Sequence, residues 1–260
     1  MPMQGLNNRQ PLITVTDAGK RFAGTDRDIL NGISFSVFEK DCIVISGPNG
    51  SGKTVLMTIL AGLEAPSSGS VICRGRKDGG KLRIGLVFQE ADAQILGDTI
   101  EEDVLFGVRN SRLPKSIMIQ RLETVLKQIG LYEKRTFPAR NLSGGEKRRL
   151  AVAGILMMEA DIVIFDEPFA NLDFAGVTQV TSLIEQLQRQ EKTVIVLTHE
   201  LEKVLALANR LIILHKGRIV YDAEPEEALR SEVLEQYGIR NPIRSYSTFK
   251  DLVWKADESQ

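Results

Sequence analysis

The octapeptide Gly47-Pro-Asn-Gly-Ser-Gly-Lys-Thr54 constrains this chain more than any other stretch of it. It follows Asp41-Cys-Ile-Val-Ile-Ser46, a short apolar, β-branched run that reads as a buried strand, and precedes Val55 to Leu63, which reads as helix. Strand, loop and helix in that order are the context that G-x-x-x-x-G-K-[ST] requires of a phosphate-binding loop. Across Gly47, Pro48, Asn49, Gly50, Ser51 and Gly52 the glycines let backbone N–H groups converge on phosphate oxygens, and the following helix offers its positive N-terminus. Lys53 adds a charge near the β and γ phosphates, and Thr54 can ligate Mg²⁺. The loop points to nucleotide binding, but alone it fits kinases, GTPases and motors equally.

The same kind of run recurs at Asp161-Ile-Val-Ile-Phe-Asp166 and Lys192-Thr-Val-Ile-Val-Leu197, each followed by polar residues. Such strands separated by helical stretches predict an α/β fold with a mostly parallel sheet covered on both faces. Between them, Thr99 to Leu131 and Gly144 to Glu159 carry apolar residues at helical spacing, which reads as a helical insertion. At the N-terminal end, Ile13 and Val15, then Ile33, Phe35 and Val37, alternate as short antiparallel strands around the loop Ala23-Gly-Thr-Asp26. Leu211 to Leu214 and Arg218 to Tyr221 flank His215-Lys-Gly217 as a hairpin, and Pro225 to Tyr237 reads as one closing helix. The tail after Asn241 has weak periodicity, although Tyr246, Phe249, Leu252, Val253 and Trp254 could dock somewhere.

Composition narrows the function. The 260 residues carry 33 Lys+Arg against 34 Asp+Glu, and this near-balance gives no general pull toward nucleic acid. The longest apolar stretches, such as Leu150 to Met158, fall far short of the roughly 20 residues that a membrane span requires. Cys42 and Cys73 are too few for a disulfide framework, and MPMQGLNNRQ lacks the apolar core of a signal peptide, so a reducing cytosolic location is expected.

Three further groups carry chemistry. Asp166 and Glu167 end the second strand where the sheet's carboxyl edge opens toward the phosphates. Asp166 can hold Mg²⁺ and Glu167 can orient or deprotonate a water, whereas Asp-Glu-Pro alone fits a turn or helix N-terminus as well. His199, after the third strand, is either a satisfied structural histidine or a donor to the γ-phosphate. In Leu142-Ser-Gly-Gly-Glu146, Ser143 and Glu146 have the spacing of a capping box, and Gly144 and Gly145 leave bare backbone donors for an anion. Lys147-Arg-Arg149 by itself reads as a solvated face.

Taken together and in order, Gly47 to Thr54, Gln89 after an apolar strand, Leu142 to Glu146, Ile162 to Glu167, Asn171-Leu-Asp173 and His199 resemble the ATP-binding subunit of an ABC transporter. The resemblance covers roughly Ile13 to Tyr237 and implies an ABC ATPase fold. That fold is a P-loop NTPase with a RecA-like core, an N-terminal antiparallel β subdomain and a helical insertion subdomain. It predicts one domain over 12–240, with core segments 12–90 and 160–222, a helical part near 92–159 and a tail over 241–260. By the same resemblance ATP and Mg²⁺ are the cofactors, and Ser143, Gly144 and Gly145 bind ATP held by a second subunit's phosphate loop. Gln89 touches Mg²⁺ and the attacking water and senses the membrane partner. Asp173 lies in the loop joining the two sites, and Phe22 aligns with the aromatic that stacks on adenine. Without the resemblance, Phe22 reads as a core residue of the β subdomain.

Val87-Phe-Gln-Glu-Ala-Asp-Ala-Gln94 followed by Glu102 to Gly107 looks like the energy-coupling factor branch, which includes cobalt, nickel and vitamin uptake systems. Phe88, Gln89, Asp92 and Gln94 agree with that branch's usual pattern, whereas Glu90, Ala91 and Ala93 depart from it. Glu146 replaces a commoner Gln, and Asn171 stands where Ser or Ala is frequent. The branch implies a second ATPase subunit, identical or paralogous, a transmembrane coupling protein and a small substrate-binding membrane protein, with this chain on the cytoplasmic face of the membrane. A conventional ABC transporter with a permease and a non-transport ABC ATPase remain the alternatives.

Overall fold

The computed structural model describes residues 10–22, 24, 28–76, 78–109 and 113–243. Strands β1 (Ile13–Arg21) and β2 (Asp28–Val37) pair antiparallel, with Ile13 opposite Val37 and Val15 opposite Phe35. Their alternation buries Ile13, Val15, Ile33 and Val37 on one face, as a half-buried sheet requires. Strand β3 (Cys42–Ser46), buried at every position, leads through the glycine loop into helix α1 (Lys53–Leu60). Strand β4 (Ser68–Cys73) then returns to pair with β1 and completes a three-stranded sheet in the order β2-β1-β4.

Strand β5 (Ile84–Val87) is followed by helices α2 (Ile100–Phe106), α3 (Lys115–Gln128) and α4 (Gly144–Met157). The helical pattern over Thr99 to Leu131 is thus two helices, and Pro114 stands immediately before the second. Strand β6 (Ile162–Asp166), helix α5 (Phe174–Arg189) and strand β7 (Thr193–Leu197) follow, then β8 (Arg210–His215) and β9 (Arg218–Ala223) as a hairpin through Lys216-Gly217. Two short helices, α6 (Pro225–Arg230) and α7 (Val233–Gln236), close the described chain. This corrects the single helix expected over Pro225 to Tyr237. Ser231 is extended and its hydroxyl donates to the Ala228 carbonyl at 3.2 Å, the local side-chain competition that makes serine a poor helix-interior residue. Tyr246, Phe249, Leu252, Val253 and Trp254 lie outside the described residues, as does most of the Ala23–Asp26 loop.

The second sheet has the order β5-β6-β7-β3-β8-β9, parallel except for β9. The central strands are apolar throughout because both faces are covered. Val44 joins Val163, Val194 and the helices α4 and α5, while Ile43 and Ile45 join α1 and the three-stranded sheet. Registers Ile45↔Leu197 and Asp166↔Leu197 bring the carboxyl ends of β3, β6 and β7 level. Because β3 has β7 on one side and β8 on the other, those ends form the crevice where open α/β sheets bind ligands.

Candidate active site

Gly47 has φ 152°, and a Cβ there would stand 2.0 Å from the Leu214 carbonyl oxygen, so only glycine fits where β3 turns into the loop. Gly52 is left-handed at φ 104° and caps α1, which begins at Lys53, two residues before the apolar pattern at Val55. The loop is fastened from both sides: Ser51 N–H donates to the Pro48 carbonyl at 3.1 Å, and Gly217 N–H of the hairpin donates to the Ser51 carbonyl at 3.1 Å. Lys53 folds back over it, its Nζ donating to the Gly47 carbonyl at 2.8 Å and the Pro48 carbonyl at 3.3 Å. Burial lowers the Lys53 pKa, and the charges of Glu167 and Asp166 oppose that shift without cancelling it.

The carboxylates differ in how they are held. Thr54 Oγ1 donates to Asp166 Oδ2 at 3.2 Å, while Asp166 Oδ1 is buried with no hydrogen-bond partner. Burial raises the Asp166 pKa, the Thr54 bond and Lys53 pulling down and Glu167 pushing up. Glu167, one residue beyond β6 with φ 44°, has both oxygens engaged: Thr198 Oγ1 donates to Oε2 at 3.0 Å, and His199 Nδ1 lies 3.0 Å from Oε1. Lys53 Nζ approaches the same Oε1 at 4.0 Å.

Lys53, Thr54 and Glu167 open on a cleft of about 500 Å³, of ligand-pocket size, that Asn49, Gly50, Gly52 and Gln89 also line, whereas Asp166, Thr198 and His199 are not among its lining residues. Asp28, Ile29, Val55, Lys216 and Gly217 complete the wall, and the sequence reading assigns no site role to Asp28, Ile29 or Lys216, the last legible only as part of a hairpin. Thr198, between Leu197 and His199, was also missed, since a lone threonine at a strand end gives no signal until the neighbouring strand places Glu167 opposite. Phe22 follows β1, 37% exposed, with Lys20 Nζ 5.2 Å from its ring centroid. It is therefore not a buried core residue, and it is not among the residues lining the cleft.

Ser143, Gly144 and Gly145 do not line the cleft of their own chain. Ser143 caps α4 in a complete capping box: Glu146 N–H donates to Ser143 Oγ at 3.3 Å, and Ser143 N–H donates to Glu146 Oε2 at 2.9 Å. Lys134, in the turn Tyr132–Lys134, holds Glu146 Oε1 at 2.6 Å. Burial pushes the Glu146 carboxyl up, but the bonds from Lys134 and Ser143 outweigh it and leave the pKa below its ordinary value. Asp173 caps α5, its Oδ1 accepting from Gly176 N–H at 2.8 Å.

The basic run after Glu146 is not a solvated face. Lys147 pairs with Asp92, and Arg149 donates to Gln179. Arg148 is buried, and its Nη2 donates to the carbonyls of Gln89 at 3.2 Å and Ala170 at 2.8 Å. The helical pattern of α4, apolar again at Leu150, turns Arg148 inward, so one guanidinium joins the loops after β5 and β6.

A glycine loop between strand and helix, with a lysine folded over it and two carboxylates at the end of a strand one removed in the same sheet, defines a P-loop NTPase. Residues 30–170 match the sequence profile of the ABC transporter family, and the chain belongs to that family. It is 38% identical over 220 residues to the energy-coupling factor transporter ATP-binding protein EcfA of Carboxydothermus hydrogenoformans, covering 82% of each chain. It is 33% identical over 242 residues to EcfA1 of Geobacillus kaustophilus, covering 90% of this chain and 86% of that one. Its fold is similar to that of cbiO1 from Clostridium perfringens, described as part of the ABC transporter complex cbiONQ. That likeness has a TM-score of 0.76 and 29% identity, over 89% of this chain and 96% of the other. Family membership brings ATP binding and hydrolysis with it.

Proposed function

We propose that this chain is the ATP-hydrolysing subunit of an energy-coupling factor importer, in which Glu167 activates the attacking water. The observation that carries this reading is the pair of contacts on Glu167, from Thr198 and His199, which hold its carboxylate in the wall of the cleft that Lys53 also lines. The phosphate loop and Lys53 bind the triphosphate, His199, held beside Glu167, donates to the γ-phosphate, and Glu167 takes a proton from water. Thr54, Asp166 and Gln89 supply oxygen donors of the kind Mg²⁺ takes, and the unpartnered, buried Asp166 Oδ1 fits that use. Bound there, Mg²⁺ offsets phosphate charge.

Ser143, Gly144 and Gly145, which do not line their own cleft, serve the ATP of a second ATPase subunit, identical or paralogous, with Asp173 at the joint between the two sites. Phe22 takes the adenine. Among the described residues no helix is long and apolar enough to cross a membrane. Transport in this reading is therefore done by a transmembrane coupling protein and a substrate-binding membrane protein, with this chain docked on their cytoplasmic side. The cargo in this reading is a vitamin or a transition-metal ion. Nucleic acid has no part in it.

The test is capture of the tagged chain from detergent-solubilised membranes of its own cells, with mass spectrometry of what accompanies it. A transmembrane coupling protein together with a small, very hydrophobic membrane protein is expected. An ordinary permease in their place, or recovery only from the soluble fraction, would contradict the assignment.

A further inference from the structure

The loop at the start of α4 contains a charge conflict. Backbone N–H groups at Gly144 and Gly145 and the positive end of a 14-residue helix suit a polyphosphate, yet Glu146 places a carboxylate in the same first turn. An uncompensated carboxylate there would repel the approaching anion. The three cations that follow in sequence make their bonds elsewhere, Lys147 with Asp92, Arg148 with the Gln89 and Ala170 carbonyls, and Arg149 with Gln179, although Arg149 still feels the Glu146 charge through space. The cation that reaches the carboxylate comes from twelve residues upstream. Lys134 Nζ lies 2.6 Å from Glu146 Oε1, while Oε2 is occupied by the Ser143 N–H.

We propose that Lys134 is a positioning residue that neutralises Glu146, so that the Ser143–Gly145 loop can accept the triphosphate of a nucleotide held by a second ATPase subunit. This rests on the reading of that loop as the second half of a shared ATP site. Lys134 touches no nucleotide in this arrangement; it acts through Glu146, by cancelling its charge and by holding Oε1 so that the other oxygen, Oε2, stays on the Ser143 N–H. A glutamine at 146 could make the same capping bond without a charge and would leave Lys134 nothing to neutralise.

The experiment is a double-mutant cycle on the full chain in its membrane-derived complex, reading ATP turnover against ATP concentration. Lys134→Met in the native background is expected to raise KM about tenfold with kcat nearly kept, whereas in the Glu146→Gln background the same change moves KM by less than about twofold. Lys134→Arg, which keeps the charge, is expected to behave like the unsubstituted chain. The Lys134 side chain is half exposed, so its replacement does not threaten folding. An equal loss in both backgrounds would mean that Lys134 acts by packing and would overturn the proposal, as would an unchanged KM in the native background. Ser143→Arg, run alongside, separates the two levels. If it turns over ATP normally, the shared-site reading falls and this inference with it; if it is inactive while Lys134→Met is silent, only the inference falls.

Discussion

His199 Nδ1 stands 3.0 Å from Oε1 of the cleft-lining Glu167, bridging the loops after β7 and β6. With Thr198 on the other oxygen, the contact fixes the Glu167 carboxylate in one orientation. His199→Ala is expected to lower ATP turnover about 100-fold, the usual weight of a misplaced acid–base group, while ATP affinity by calorimetry changes little. Turnover near that of the unsubstituted chain would remove His199 from the mechanism.

Asp166 is a carboxylate buried at a cost to the fold. Burial holds its proton more tightly in the folded chain than in the unfolded one, so above the ordinary carboxylate range the ionised group penalises folding, and the penalty fades as pH falls toward the ordinary value of 3.8. Asp166→Asn is therefore expected to stabilise the nucleotide-free protein by about 1 kcal/mol at neutral pH, with Lys53 still paired to Glu167, and to lose Mg²⁺-dependent hydrolysis. Thermal unfolding scans across pH check the sign: the gain should shrink in acid.

Lys53 donates to two loop carbonyls while buried, which holds its ammonium over the space between Gly47 and Glu167. Lys53→Ala should weaken ATP binding by about 1.5–3 kcal/mol, the range for hydrogen bonds to charged groups. Unchanged affinity by calorimetry would count against the loop as the triphosphate site.

The cysteines test the packing away from the site. Cys42 is buried in β3 and burial pushes its thiol up to about 12, whereas Cys73 is exposed at the end of β4. A maleimide at mild pH should label one thiol per native chain and two after denaturation. Two labels in the native state would contradict the burial of the central sheet.

The parts of this fold that show in the sequence are those with a strong local signal. The strand, glycine loop and helix around Gly47 to Thr54 are legible because each step has its own composition, and the buried strands β3, β6 and β7 because both their faces are covered. Strand β4 is not legible: Ser68-Gly-Ser-Val-Ile-Cys73 is almost wholly exposed and carries no alternation, and only its pairing with β1 makes it a strand. Thr198 and Arg148 were hidden for a related reason, since their partners Glu167, Gln89 and Ala170 lie 22 to 59 residues away and only the sheet brings them near. The closing helix was overextended because Ser231 breaks a pattern that hydrophobic spacing alone would continue.

Glu167 offers the most direct test of the account. Glu167→Gln keeps the size of the side chain and leaves Lys53 and the phosphate loop in place, so the variant is expected to bind ATP as tightly as the unsubstituted chain while turnover falls by about 10² to 10⁴. Binding and hydrolysis measured on the same preparation decide it. Tight ATP binding with almost no hydrolysis is the predicted result, and hydrolysis at an undiminished rate would contradict the assignment of Glu167 as the residue that activates water.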